Sequence, residues 1–169
     1  MDQNDFLKLI TPFKDKLFRL AKRLLVITEE AEDATQEVLL KLWNKNEDLG
    51  NYNSLEAFAM TMTKNYCLDQ LKAKRSGNLK LVHDNYIDRQ PSLENQLEAK
   101  DSLNWVEKAI NELPEQQRII IQMRDIEEYE FEEIAKIMNM NETAIRVALS
   151  RARKTIRAFM LKTNDYGIK

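Results

Sequence analysis

The sequence predicts an all-α protein of two small helical domains joined by a linker. Three observations carry that prediction. Among 169 residues there are only three glycines and three prolines, too few turn formers for an all-β domain. The chain is 43% apolar and 32% charged, apolar enough to build cores rather than stay disordered. Apolar residues recur at helical spacing along most of its length, with one break after Arg75 where the periodicity stops.

The elements follow in order. Thr11-Pro12 reads as a helix start, with proline at the first helical position. Phe13, Leu17, Leu20, Leu24 and Ile27, spaced 4, 3, 4 and 3, then form one stripe. Thr28 is placed to cap a second helix, with Glu29, Glu30, Glu32 and Asp33 in its first turns, where the helix dipole favours negative charge. That helix is expected to reach about Lys45 and to bury Ala31, Ala34, Val38 and Leu42. After the polar loop "EDLGNYNS", Ser54 caps a third helix from Leu55 to about Lys74, with Phe58, Met62 and Leu68 among its buried positions. Residues 1–75 thus read as the first domain, 76–91 as the linker, holding a glycine and a proline, and 92–169 as the second domain. In the latter, Leu93, Leu97, Leu103, Val106, Ile110 and Leu113 mark one helix, and Pro114 opens a shorter one with Ile119, Ile120 and Met123. Two more follow at about 131–138 and 142–160.

Charge is unevenly placed. The formal net charge is −2, yet no acid occurs from Thr143 to Leu161, while residues 125–133 hold six acids and no base. In 142–160, Ile145, Leu149, Ala152 and Ile156 form a core stripe, and the opposite face carries Val147, Arg151 and Lys154, flanked by Arg146, Ser150 and Arg153. Segregation this sharp is the electrostatic footprint of nucleic acid binding. A helix of this kind enters the major groove with its N-terminal half. Arg146 and Arg151 can then reach base edges or phosphates, Ser150 can bond either, and Val147 can pack on a thymine methyl, while Arg153, Lys154 and Arg157 are placed for phosphate.

Other chemistry is disfavoured. One cysteine, Cys67, and one histidine, His83 in the linker, make neither a disulfide framework nor a Cys/His metal site, and no third group completes a catalytic set. No glycine-rich phosphate loop and no Glu-x-x-His pair occurs. No catalytic residue, cofactor or metal is therefore expected. No apolar run approaches the roughly 20 residues of a membrane span, and the N-terminus has no export signal, so a cytoplasmic protein is expected.

The stretch "FEEIAKIMNMNETAIRVALSRAR" resembles the helix-turn-helix pattern: Ala135 is small enough for close helix crossing, Asn139 stands where glycine is usual, and Asn141 caps the second helix. "EEAEDATQEVLLKLW" with "LEAFAMTMTKNYCLDQLKAKR", and later "LPEQQRIIIQMRDIEEYEFEEIAKIMNMNETAIRVALSRARKTIR", resemble the second and fourth regions of bacterial sigma factors. With no third domain between them, the whole resembles the extracytoplasmic-function class of the sigma-70 superfamily.

The resemblance implies a non-enzymatic factor that binds core RNA polymerase and directs it to promoters. It places polymerase docking on Asp33, Gln36 and Glu37, whose i, i+3, i+4 spacing shares one helical face. It places contacts to the melted −10 element on Asn51, Tyr52 and Asn53 of the loop and on Lys64, Asn65, Lys72 and Arg75, with Lys74 beside them. It places the −35 contacts on Thr143, Arg146, Val147, Ser150, Arg151 and Lys154. It also implies an anti-sigma factor, membrane-linked, as an inhibitory partner. Val147 and Ala148 are more apolar than in many relatives, and Thr61 falls where some carry arginine. Two rival readings remain at this point: a stand-alone helix-turn-helix regulator that dimerises through residues 1–75, and a helical adaptor that binds only proteins.

Overall fold

The computed structural model describes residues 1–77 and 102–167, and within them seven α-helices and no strand. The N-terminal half holds α1 (Gln3–Leu25), α2 (Thr28–Asn44) and α3 (Leu55–Gly77). The C-terminal half holds α4 (Ser102–Asn111), α5 (Glu115–Ile121), α6 (Phe131–Met138) and α7 (Glu142–Gly167). Leu93 and Leu97 lie outside the described residues, as does His83.

Helix α1 begins nine residues before the expected start and carries Pro12 inside it. Its cap is Asp2, whose side chain accepts from the Asp5 amide at 2.8 Å. Phe6 and Ile10 extend the buried stripe of Phe13, Leu17, Leu20 and Leu24 toward the N-terminus, so packing carries the helix across the proline. Thr28 does not cap α2: it is the first helical residue, and its hydroxyl takes the Lys22 ammonium at 2.9 Å. Ala31, Ala34, Val38 and Leu42 are buried as expected.

Ser54 caps α3, accepting from the Ala57 amide at 3.1 Å. The face of α3 differs from expectation. Ala59, Met60, Thr63 and Cys67 are its buried residues, and Phe58, Met62 and Leu68 are half-buried at the margin. The helix packs on α1 and α2 along one side and on α6 along another, so small and sulfur-bearing residues take the crowded centre. Burial pushes the Cys67 thiol up to about 12. It is therefore expected to resist a thiol reagent at pH 8 in the folded chain and to react fully once denatured; fast native labelling would contradict its burial.

In the C-terminal half, Ile110, Leu113, Ile119, Ile120, Ile121, Met123, Ile134, Ile137, Ile145 and Leu149 are buried. They join the buried residues of α1–α3 in one contiguous cluster. The two halves are thus packed against one another, α5 on α1 and α6 on α3. Helix α5 runs into a π-helical turn, Gln122–Ile126, which brings buried Gln122 and Glu127 to the junction.

Candidate nucleic-acid and polymerase interface

The helix-turn-helix is formed by α6 and α7. A capping box opens α6: Glu130 takes the backbone of the first turn, and the Glu133 side chain accepts from the Glu130 amide at 3.3 Å. Asn139 ends it at φ 53°, ψ 49°, the left-handed conformation expected of the residue standing in for glycine. Replacing Asn139 by alanine is expected to cost about 1–2 kcal/mol, read as a lower urea midpoint, and by glycine to be close to neutral. Asn141 caps α7, its side chain accepting from the Ala144 amide at 2.7 Å.

On α7, Ile145, Ala148, Leu149 and Ala152 are buried, and Thr143, Arg146, Val147, Ser150, Arg151 and Lys154 are all exposed. The six predicted −35 residues therefore share one outward face. The Arg146 guanidinium lies 4.7 Å from the centre of the Phe131 ring, which fixes its stem at the base of that face. Phe131, Arg146, Ser150, Arg153, Lys154 and Arg157 line a shallow, strongly basic cavity of about 490 Å³. Arg153 is not free for phosphate as expected: its Nε and Nη2 donate to the two Asp125 carboxylate oxygens, a bond that raises its pKa. Arg151, Lys154 and Arg157 have no acidic partner among the described residues. One of the six acids of residues 125–133 thus neutralises a neighbour on α7, while the face beyond it stays cationic.

On α2, Asp33, Gln36 and Glu37 are exposed together, opposite the buried Ala31, Ala34 and Val38. Tyr66 of α3, which carries no motif signal in the sequence, lies beside them. Its pKa is raised by burial and then by the nearby Glu37 carboxylate, and Lys41 of α2 sits 5.3 Å from its ring centre. Leu40, 57% exposed, adds an apolar patch one turn along, continuous with a groove of about 550 Å³ lined by Phe6, Leu7, Leu39 and Trp43.

The predicted −10 residues are divided. Asn51, Asn53, Asn65 and Lys72 are exposed, as is Asp69. Tyr52 is half-buried, its ring stacked on Phe58 at 4.1 Å and 17°, so it anchors the loop to α3. Lys64 donates to the Ile137 carbonyl at 2.8 Å, and burial lowers its pKa. Arg75 pairs with Glu115, and Lys74 with Glu30.

A cationic outward helix set in a helix-turn-helix, with an exposed acidic helix face on the other half of the chain, is the architecture of a two-part DNA-binding protein. Residues 9–77 match the family model for sigma-70 region 2, and residues 103–156 match that for sigma-70 region 4. The chain is 22% identical to the extracytoplasmic-function sigma factor SigW of Bacillus subtilis, over 92% of this chain and 89% of the relative. It is 26% identical to the sigma-E factor of Escherichia coli, over 92% of this chain and 86% of the relative. Its fold is similar to the sigma factor RpoE in complex with the anti-sigma factor NepR from Bartonella quintana, at a TM-score of 0.71 and 24% identity over 92% and 96% of the two chains. It is also similar to CnrH in complex with the cytosolic domain of CnrY, at a TM-score of 0.66 and 17% identity over 94% and 89%.

The chain belongs to the sigma-70 family, in its extracytoplasmic-function class. It binds core RNA polymerase and directs promoter-specific initiation, so a stand-alone operator-binding regulator is not favoured. No helix of the described residues is long and apolar enough to cross a membrane.

Proposed function

We propose that the exposed face of α2 docks on polymerase through Asp33, Gln36 and Glu37, that α3 and its preceding loop read the −10 element as single strand, and that α7 reads the −35 element as duplex. The observation that carries this reading is the pair of opposite surfaces: an acidic, outward α2 face and a cationic, outward α7 face on different halves of the chain. A coiled coil bearing basic side chains complements the first, and DNA phosphate complements the second.

On α7, Arg146 and Arg151 project far enough for guanine edges or phosphates, Ser150 bonds either, Thr143 stands at the start of the reading helix, and Val147 offers a methyl contact to thymine. Lys154 and Arg157 follow the phosphate backbone. On α3, Asn65 and Lys72 are free to face a strand, and Asn51 and Asn53 flank the anchored Tyr52. Asn51 and Asn53 are then the better candidates for base contact, and Tyr52 the residue that holds their loop. The protein itself does no chemistry; initiation is the polymerase's reaction. An anti-sigma factor tied to a membrane is the inhibitory partner that fits this class, with the protein itself working in the cytoplasm.

In-vitro transcription with purified core polymerase and a genomic template tests the reading: a small set of transcripts is expected, and none from core alone. Glu37→Lys is expected to weaken polymerase binding about tenfold or more, since it reverses charge at an interface. Duplex binding by the chain should stay unchanged, and equal polymerase affinity for both proteins would remove the docking assignment.

A further inference from the structure

The first turn of α7 carries an acid where a DNA-facing helix has reason to exclude one. Glu142 is the first residue of α7, next to Thr143 and one turn before Arg146. No acid follows it in the sequence before Asp165, while Arg146, Arg151, Arg153, Lys154 and Arg157 all do. Its side chain is 51% exposed. Duplex DNA carries one negative charge for each ~1.7 Å of its axis, so a carboxylate brought against it is repelled unless it finds a donor there.

Helix-start chemistry leaves this carboxylate largely unengaged. The cap of α7 is Asn141, whose side chain takes the Ala144 amide at 2.7 Å. Attraction of a first-turn acid to the helix dipole remains, but it is weak at an exposed site. Among the described residues the polar contact of Glu142 is the Arg146 Nη2, 4.0 Å from its Oε1. Arg146 is held meanwhile by Phe131, its guanidinium 4.7 Å from the ring centre. The exposed pair is therefore loose and readily exchanged for DNA.

In a helix-turn-helix complex the N-terminal residues of the second helix meet base edges, and the Cα–Cβ bonds tilt toward that end. Glu142, Thr143 and Arg146 are thus the side chains placed for the groove floor, whereas Lys154 and Arg157 lie three to four turns further along. A carboxylate can only accept. In the major groove cytosine presents a donor alone, its N4 amino group. Guanine presents the acceptors N7 and O6, thymine presents O4, and adenine sets N7 beside its amino group.

We propose that Glu142 is a specificity-determining residue of the −35 contact. Its carboxylate accepts from the N4 amino group of a cytosine beside the base met by Arg146, and it repels bases that turn an acceptor toward it. The proposal deepens the assignment of α7 to the −35 duplex and rests on it.

Holoenzyme assembled from core polymerase and the full chain, offered a promoter library randomised across the −35 element, tests this by sequencing of the DNA retained. Native protein is expected to enrich cytosine about tenfold at one −35 position. Glu142→Ala is expected to lose that enrichment and to leave the other positions as they were. It should also bind a scrambled −35 duplex more tightly, because a negative charge facing phosphate is gone. Glu142→Gln, equal in length and able to donate, is expected to lose cytosine and admit adenine at the same position. A variant that merely weakened α7 would lose affinity on all sequences alike. If Arg146→Ala alters the base profile while both Glu142 variants leave it unchanged, Glu142 is a helix-start acid and the proposal is overturned. If native holoenzyme shows no −35 preference, the assignment of α7 itself fails and takes the proposal with it.

Discussion

Leu20→Ala will cost about 2–5 kcal/mol, a large part of the stability of a chain this size. Leu20 is wholly buried at the middle of the α1 stripe, between Leu17 and Leu24, which are buried as completely. Truncation removes the apolar contacts of the side chain and leaves a cavity that a packed three-helix core cannot easily collapse. The effect is expected to reach both halves, since the buried residues form one contiguous cluster. Each half carries its own tryptophan, Trp43 against Phe6 and Trp105 beside Phe159. Single-tryptophan variants in a urea titration should show coincident transitions, both shifted by Leu20→Ala. A shift confined to the Trp43 probe would show that the halves unfold separately.

Arg146→Ala is the second large effect, expected to cost about 1–3 kcal/mol of discrimination between a cognate −35 duplex and a scrambled one. The side chain is 63% exposed, its guanidinium rests near the Phe131 ring, and its nearest acid, Glu142, lies at the 4.0 Å limit of an ion pair. An exposed pair of that kind contributes little and is easily exchanged for DNA. A loss of equal size on both duplexes, with the salt slope reduced by about one, would make Arg146 a phosphate contact. The comparison needs holoenzyme, so that the halves are held as polymerase holds them.

Much of this was legible in the sequence because local chemistry decided it. The bounds of α6, the start of α7, the left-handed Asn139, the Asn141 cap and the exposed α7 face follow from spacing, capping preference and charge within a few residues, whereas α7 runs to Gly167, past the expected end at about 160. The polar trio of α2 emerged on one exposed face for the same reason. What was not legible depended on neighbours distant in sequence. Pro12 looked like a boundary because nothing local reveals that Phe6 and Ile10 are covered by other helices. The buried face of α3 was misplaced because that helix serves two partners, and its alternatives, Phe58 and Met62, are equally apolar. The acids of residues 125–133 read as one block of charge, whereas Asp125 pairs with Arg153 and Glu127 with Arg19, 108 positions earlier. No spacing rule within a helix could have matched Glu127 to α1.

The wide turn at Gln122–Ile126 has a bearing on how this sequence can vary. The amide of Glu127 bonds to the Gln122 carbonyl five positions back, so one extra residue is spent inside the turn. Deleting one residue between Met123 and Ile126 would return this turn to ordinary α winding and remove the widening that brings Gln122 and Glu127 to the junction of the halves. The residues of α7 would be untouched, while the packing of one half on the other would change. Length between Leu113 and Phe131 is thus as much a part of the instruction as the identity of the residues.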